Sequence, residues 1–142
     1  MSDRAFVDTN VLVYAHDTAS GPKHRRATEL VENLWSTRGG VVSTQVLQEL
    51  YVNLRRRVRT PLPLDEARRL IGDYLRWEVV VNTGESIVEA LEIEDRYGLS
   101  FWDSLIVQAA TRSGVERLYS EDLGHGQLYG TVRVVNPFAE KP

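Results

Sequence analysis

The sequence predicts an α/β fold: a short, mostly parallel central sheet flanked by helices in three α/β/α layers. Short apolar runs without polar alternation, such as residues 5–7, are typical of strands that are buried on both faces. These runs alternate along the chain with longer segments of helical periodicity, and this alternation is typical of βαβ units. Neither repeats nor linkers interrupt the pattern, so we expect one domain over residues 1–142.

Three helices and two strands are predicted in the first half of the chain. Thr9 and Asn10 are residue types that cap helices through side-chain oxygens, so the apolar residues after them are expected to form a short helix. The Gly-Pro pair at 21–22 precedes a longer helix with one apolar stripe, which two glycines end. Ser43 or Thr44 then caps the next helix. The predicted strands are 5–7 and 41–42, and the predicted helices are 11–15, 23–37 and 44–58.

Three more helices and three more strands are predicted in the second half. Asp65 places a negative charge in the first turn of a helix, as the helix dipole favours. Gly98 and Gly114 each follow a segment of helical periodicity and are expected to end a helix. The predicted helices are 65–77, 85–97 and 100–113, and the predicted strands are 78–81, 117–120 and 132–136.

The composition excludes several classes of function. The net charge of −3 and the isoelectric point of about 5.6 argue against a passive nucleic-acid binder with a basic surface. The absence of cysteine excludes disulfides and thiolate metal sites. No apolar run approaches the ~20 residues of a membrane span, and the first residues lack the apolar core of a signal peptide. We therefore expect a cytoplasmic protein that has no membrane partner.

Four acids are expected to meet at one edge of the sheet. Asp8 and Asp122 each follow a predicted strand, and the carboxyl ends of parallel strands lie together at the edge where open α/β sheets bind ligands. Glu49 and Asp103 are expected to project from early turns of flanking helices. Four carboxylates in one cleft repel each other unless they are neutralised, and hard divalent cations such as Mg²⁺ or Mn²⁺ prefer oxygen ligands. The acids therefore predict a metal site.

Each acid also has a purely structural alternative. Asp8 and Asp122 can accept hydrogen bonds from backbone groups at a helix start and in a turn. Glu49 can be a solvated helix residue. Asp103 lies three residues after a potential cap, as in a capping box, although Asp stands where Glu is usual. The apolar neighbours of Asp103, including Trp102, make most of that helix apolar and place the carboxylate near the core.

Four motifs carry a resemblance to a known family. They are VDTNVLVYAHD at the start, LQEL in the middle, YGLSFWDSLIV, and LYSEDLGHGQ, and VRVVNPF closes the pattern. In this order and spacing the sequence resembles PIN-domain ribonucleases, and more narrowly the VapC toxins of bacterial toxin–antitoxin pairs. The resemblance implies the catalytic, metal-binding acids Asp8, Glu49, Asp103 and Asp122, with Thr9, Asn10 and Ser120 as supporting residues.

The resemblance also implies a role for each acid and a reaction. Asp8 and Asp103 are expected to bind the metal directly, and Glu49 to bind it or to orient a water molecule. Asp122 is expected to serve a second ion or a water-mediated contact. One or two Mg²⁺ or Mn²⁺ ions would activate water for attack on an RNA phosphodiester, leaving a 5′ phosphate and a 3′ hydroxyl. Because two ions add four positive charges, −3 + 4 = +1, RNA binding is expected to weaken when metal is removed.

Two protein partners are implied by the same resemblance. One is a second copy of the chain in a homodimer, and the other is an antitoxin, a small DNA-binding protein. The apolar faces of the predicted helices 23–37 and 65–77 are expected to help form a groove for the antitoxin. The alternative is that these faces belong only to the core.

A basic run adds a possible contact surface. It contains Arg55, Arg56, Arg57 and Arg59, and it is expected to contact the RNA backbone or an acidic segment of a partner. The alternative is a solvated helix end that complements the helix dipole.

Other functions remain as alternatives or are excluded. On the same fold, the protein could be a housekeeping RNA-processing nuclease without an antitoxin, or a catalytically weak module that binds RNA or protein. Response-regulator receivers and haloacid-dehalogenase-type phosphatases also place acids at strand ends, but both need a suitably placed lysine. The only lysines are Lys23 and Lys141, which lie in unsuitable places for either class.

Overall fold

The computed structural model describes residues 3–139, so Lys141 lies outside the described residues. Its strands are β1 (Ala5–Val7), β2 (Gly40–Ser43), β3 (Glu78–Val80), β4 (Arg117–Tyr119), β5 (Leu128–Tyr129) and β6 (Val132–Val135). Its α-helices are α1 (Thr9–His16), α2 (Pro22–Thr37), α3 (Thr44–Arg56), α4 (Leu64–Tyr74), α5 (Gly84–Tyr97) and α6 (Phe101–Ser113). A single 3₁₀ turn, Thr18–Ser20, joins α1 to α2.

The strand order creates a crevice beside the first strand. All strands form one sheet in the order β3-β2-β1-β4-β6-β5, and only β5 runs antiparallel to its neighbour. The chain moves outward from β1 to β2 and β3, and then returns to place β4 on the other side of β1. This reversal is a topological switch point, where open α/β sheets bind ligands beyond the carboxyl ends of the strands. The fold therefore predicts a site between the ends of β1 and β4.

Helices cover both faces of the sheet. Helix α6 packs against α5 and crosses β2, β3, β4 and β6, and six of its successive residues beginning at Leu105 are buried. On the other face, α1 packs against α2 and α3, and α3 packs against α4. Strand β1 is buried throughout, as expected of a central parallel strand. The three-layer α/β/α architecture predicted from the sequence is confirmed.

The observed elements differ from the predicted ones mainly at their ends. Strand β5 was not predicted because it has only two residues, which are too few to show the alternation of polar and apolar side chains that marks a strand. It is joined to β6 through Gly130. Helix α4 ends at Tyr74 rather than at 77, because a tight turn follows in which the Trp77 amide donates to the Tyr74 carbonyl at 3.0 Å. This turn returns Trp77 to the core, where it is 8% exposed.

An aromatic cluster fastens α2 and α4 to the sheet. The ring centroids of Trp35 and Tyr74 lie 5.7 Å apart, and those of Tyr74 and Trp77 lie 4.9 Å apart. The Trp77 ring lies against the backbone of Gly40 in β2, so closely that a Cβ atom at Gly40 would stand 2.4 Å from ring carbons. Strand β2 therefore needs glycine at this position for reasons of space.

Within residues 3–139, no helix combines the length and the apolar character that crossing a bilayer requires.

Candidate active site

The site begins with Asp8, which is both the end of β1 and the cap of α1. Its side chain is 5% exposed and accepts a hydrogen bond from the Thr9 amide at 2.8 Å. The Asp8 amide donates to the Tyr119 carbonyl at 2.9 Å, which continues the pairing of β1 with β4 by one residue. Capping and membership of the site are therefore roles of the same carboxylate.

The end of β4 supplies the second part of the site. The Ser120 hydroxyl is fully buried and donates to Asp8 Oδ2 at 2.7 Å, and it accepts from the Asp122 amide at 3.2 Å. The side-chain nitrogen of Asn10, Nδ2, lies 3.0 Å from Asp122 Oδ2 and 3.3 Å from Asp8 Oδ2. Asn10 Oδ1 accepts from the Glu121 amide at 3.1 Å. Asn10 and Ser120 therefore hold the two strand ends, and the two carboxylates, in a fixed relation.

Helices α3 and α6 bring the other two acids to the same cleft. Glu49 lies in the second turn of α3 and accepts a hydrogen bond from the Thr9 hydroxyl at 2.8 Å. Asp103 lies in the first turn of α6, and its amide donates to the Ser100 hydroxyl, the cap of that helix, at 3.1 Å. Asp103 is thus at a capped helix start and in the cleft at once.

The electrostatics reflect this crowding. Burial raises the pKa of Asp8 to about 7, although hydrogen bonds from Ser120 and Thr9 act in the opposite direction. The charges of Asp122 and Asp103 raise the pKa of Asp8 further. The pKa of Asp103 is also raised, mainly by burial and in part by Asp122, while Ser100 lowers it. The three aspartates therefore share one electrostatic environment that favours a positive ligand.

The side chains enclose a cleft of about 310 Å³. Its lining residues are Asp8, Thr9, Asn10, Val13, Tyr14, Gln45, Glu49, Asn53, Trp102, Asp103, Ile106 and Asp122. All four predicted acids belong to this lining, as do Thr9 and Asn10, and Ser120 lies behind Asp8. The structure therefore brings together all seven residues that the sequence predicted.

The donor set fits a hard, water-rich cation. Within residues 3–139, no three histidine, cysteine or acidic side chains are close enough together to ligate one ion directly. Mg²⁺, however, keeps several waters and binds through one or two carboxylates, and it prefers oxygen donors such as those of Asp8 and Asp103. Burial raises the pKa of each of these two carboxyls, so a cation beside them would stabilise their ionised forms. The residues thus fit Mg²⁺ or Mn²⁺, and they do not fit an ion that demands an all-protein cage.

The arginine run lies next to this cleft. Arg57 lines a neighbouring hollow of about 270 Å³ together with Glu49 and Asn53, and both of these residues also line the acidic cleft. Arg55 is used structurally, because its guanidinium donates to the Leu62 carbonyl at 2.9 Å. The side chains of Arg56, Arg57 and Arg59 are exposed.

Two features of the site could not be read from the sequence. Tyr14, which lines the cleft, donates to Glu121 Oε1 at 2.8 Å, and Lys23 binds the other oxygen of the same carboxylate. This network has no distinctive signal in the sequence because its members are far apart in the chain. Trp102, counted in the sequence among the apolar residues of its helix, is 63% exposed at the cleft.

Comparisons with known proteins agree with this fold. The PIN domain family profile matches residues 5–130. Among solved structures, the chain is similar to a chain of a toxin–antitoxin complex from Klebsiella pneumoniae, with 20% identity over 94% of this chain and 98% of the other, and a TM-score of 0.67. It is also similar to Mycobacterium tuberculosis VapC20, a sarcin-ricin loop cleaving toxin, with 22% identity over 83% and 91% of the two chains and a TM-score of 0.61.

A third similar structure is VapBC2 from Rickettsia felis bound to a DNA fragment from its promoter, with 17% identity over 92% of this chain and 96% of the other, and a TM-score of 0.61. No curated protein sequence matches the chain. At these identities the solved structures show a shared fold, and the family profile covers most of the sequence. The chain belongs to the PIN domain family.

Proposed function

We propose that this chain, as one PIN domain over residues 1–142, is a metal-dependent endoribonuclease that hydrolyses RNA phosphodiester bonds. The observation that carries the proposal is the grouping of Asp8, Asp103 and Asp122 at the switch point, with Glu49 lining the same cleft. A buried carboxylate such as Asp8, whose charge is further disfavoured by neighbouring aspartates, is costly to a fold unless it serves a cation. Such a cluster in an open cleft is typical of a metal-assisted hydrolase.

Each acid has a distinct role in the proposed reaction. Asp8 and Asp103 would hold Mg²⁺ or Mn²⁺, and Asp122 would serve a second ion or a water-mediated contact. The chemistry that the metal supplies when bound is a lowered pKa of water and stabilisation of charge on the phosphate and the leaving 3′ oxygen. The products are a 5′ phosphate and a 3′ hydroxyl.

The chain's own groups prepare this chemistry. Ser120 and the Thr9 amide fix both oxygens of Asp8, so the carboxylate needs no rearrangement to bind a cation. Thr9 also occupies one oxygen of Glu49, which leaves the second oxygen available to orient the attacking water and accept its proton. Asn10 ties Asp122 to the same frame.

Arginines beside the cleft supply the contact for the RNA backbone. Arg57 faces the hollow that adjoins Glu49 and Asn53, so a strand whose phosphate lies at the acids can continue toward it. Arg56 and Arg59 are exposed nearby and can contact further phosphates. Arg55 contributes less because the Leu62 carbonyl already engages it.

The biological role that fits best is that of a toxin controlled by an antitoxin in the cytoplasm. Two clefts support a peptide partner: an apolar groove of about 520 Å³ between α3 and α4, lined in part by Leu47, Tyr51 and Ile71, and one of about 430 Å³ between α2 and α4. Toxin–antitoxin complexes among the similar structures support the same role. A neighbouring gene for a small DNA-binding protein would distinguish this role from housekeeping RNA processing.

A homodimer is part of the same proposal. Helix α5 exposes three apolar side chains on one side, with Ile87 48%, Val88 59% and Leu91 49% exposed. A second copy that packs on this face would remove this surface from water.

The test is cleavage of total RNA by purified wild type and Asp8→Asn with Mg²⁺, Mn²⁺ or EDTA. Asparagine keeps the shape of Asp8 and removes its charge, so the variant is expected to fold and to lose at least about 100-fold in activity, as is typical when a preorganised catalytic group is removed. Asp65→Asn, at an exposed site in the first turn of α4, is the matched control and is expected to cleave like wild type.

The outcomes separate the candidate functions. Discrete fragments from wild type and Asp65→Asn, abolished by EDTA, support the metal-dependent nuclease, and mapping their ends identifies the target. Absence of cleavage by folded, metal-loaded wild type would favour the binding module. Equal cleavage by wild type and Asp8→Asn would show that Asp8 is not catalytic.

A further inference from the structure

Trp102 is the most exposed of the three tryptophans. Its side chain is 63% exposed, compared with 38% for Trp35 and 8% for Trp77. It precedes Asp103 and lines the acidic cleft together with it. An aromatic side chain exposed at the rim of a cleft offers a large, rigid apolar surface to a ligand that enters the cleft. The position of Trp102 therefore points to a contact with whatever enters the cleft.

The indole is presented on a rigid support. Trp102 lies in the first turn of α6, which Ser100 caps. Its carbonyl accepts a hydrogen bond from Gln45 Nε2 at 3.2 Å, and Gln45 is itself buried, at 7% exposure. The Trp102 ring also meets the ring of Phe101 edge to face, with centroids 5.2 Å apart and an angle of 75° between the planes. These contacts hold the backbone and one edge of the indole while the rest of the ring stays accessible.

The chemistry of the cleft limits what can lie on this ring. Under the proposed function, on which this inference rests, a phosphate of RNA binds at the aspartates, and its two flanking bases lie within a few ångströms of the rim. Unpaired bases stack on exposed aromatic side chains, whereas bases in a duplex are already stacked on their neighbours. A tryptophan beside the phosphate site is therefore suited to an unpaired base.

We propose that Trp102 stacks on an unpaired base next to the cleaved phosphate and thereby contributes to the binding of the RNA strand at the acids. Trp102 then acts as a specificity-determining residue that contacts substrate beside Asp103, and Arg57 contacts the backbone at the hollow beside Glu49. The contact depends on whether the base is free to leave its neighbours, and less on which base it is, because every base has a π face.

The binding test uses intrinsic fluorescence in a Glu49→Gln background, which retains the Asp8 and Asp103 carboxylates while RNA cleavage is impaired. A ten-nucleotide RNA is titrated as a single strand and as a duplex with its complement. The single strand is expected to quench the emission, and the duplex to quench it much less. Adding Trp102→Phe should remove the quenching but retain most of the affinity, measured by anisotropy of a labelled strand, because phenylalanine still stacks.

The kinetic test compares Trp102 variants in which all four acids are unchanged, so that KM and kcat can be measured. Trp102→Ala is expected to raise KM for a single-stranded substrate by about 5- to 150-fold, the range that removal of one base–aromatic stack produces, with a smaller effect on kcat. Trp102→Phe should restore most of the loss. The matched control is Leu128→Ala, which removes another exposed apolar side chain, 46% exposed in β5. Circular dichroism confirms that each variant is folded.

Several results would overturn the proposal. They are unchanged KM in Trp102→Ala, equal quenching by single strand and duplex, and a fall in kcat alone. Intact RNA affinity in Trp102→Ala with lost binding of a protein partner would assign the indole to that partner instead. Failure of the proposed function would give a different result, namely no cleavage by folded wild type with any metal. Cleavage by wild type is therefore measured before the Trp102 variants are compared.

Discussion

At the scale of single residues, Asp8 shows how structural and chemical roles combine. Its hydrogen bonds with Ser120 and the Thr9 amide favour the ionised carboxylate, whereas burial and the nearby aspartates oppose it and raise its pKa to about 7. Burial thus makes the charge of Asp8 costly to the fold, so removal of that charge is not expected to unfold the protein. This is why Asp8→Asn is a suitable probe of function.

His16 carries a pH dependence of stability that lies away from the acids. Its Nε2 lies 2.6 Å from the Tyr74 hydroxyl oxygen, and burial, with a smaller effect from His24, lowers the pKa of His16 from 6.5 to about 4. A depressed histidine pKa means that the unfolded chain binds a proton more readily than the folded chain. The stability contribution of neutral His16 is therefore complete above pH 6.5 and is lost as the pH falls toward 4.

The corresponding prediction compares wild type with His16→Gln by urea unfolding at several pH values. Between pH 7 and pH 4, the free energy of unfolding of wild type should fall relative to that of the variant, by about 3 kcal/mol at most. Between pH 7 and pH 9 the difference should stay constant. A difference that does not change below pH 6.5 would contradict the prediction.

At the scale of elements, the close packing of β2 against the turn after α4 gives a second prediction. A methyl group at Gly40 would stand 2.4 Å from the Trp77 ring, which Tyr74 and Trp35 hold in place. We expect Gly40→Ala to lower the free energy of unfolding by about 1–3 kcal/mol, as overpacking in a core does. Gly72→Ala is the control, because space is open at that position in α4 and alanine favours a helix.

The measurement is urea unfolding of both glycine variants at pH 7. The free energy of unfolding of Gly72→Ala is expected to equal that of wild type or to exceed it by up to about 1 kcal/mol. If Gly40→Ala were as stable as wild type, the close approach of Trp77 would not constrain β2.

The elements also show which parts of the molecule the sequence can predict. Asp8 and Asp122 could be placed together because parallel strands deliver their carboxyl ends to one edge, and the motifs identified the family. Strand β5 could not be predicted because two residues carry no period. The exposure of Trp102 could not be predicted either, because an apolar run does not reveal which side of a helix start faces the core. Contacts between distant residues, such as those of Glu121 with Tyr14 and Lys23, need coordinates.

At the scale of the whole molecule, charge decides how RNA can approach. The chain has a net charge of −3, and its cleft concentrates aspartates, so RNA meets repulsion there before a cation is bound. Arginines at the adjoining hollow provide an attractive contact that does not depend on metal. The two contributions can be separated by experiment.

The prediction concerns RNA affinity in Glu49→Gln, which retains Asp8 and Asp103 while catalysis is impaired. Affinity for a single-stranded RNA should fall by about tenfold or more when EDTA replaces Mg²⁺, since the cation that offsets the repulsion is lost. Changing Arg56, Arg57 and Arg59 to glutamine should flatten the dependence of affinity on salt. Equal affinity with Mg²⁺ and EDTA would count against the charge argument.

The pairing of β1 with β4 also determines when, during synthesis and folding of the chain, the site is assembled. The Ser120 hydroxyl reaches Asp8 across 112 positions of sequence, and β1 lacks its second neighbour until β4 has been made. Contacts so distant in sequence form late, after most of the chain has emerged from the ribosome. A translation product interrupted before residue 120 therefore carries the first carboxylates without the frame that orients them. Synthesis of the chain is thus separated in time from the appearance of its activity.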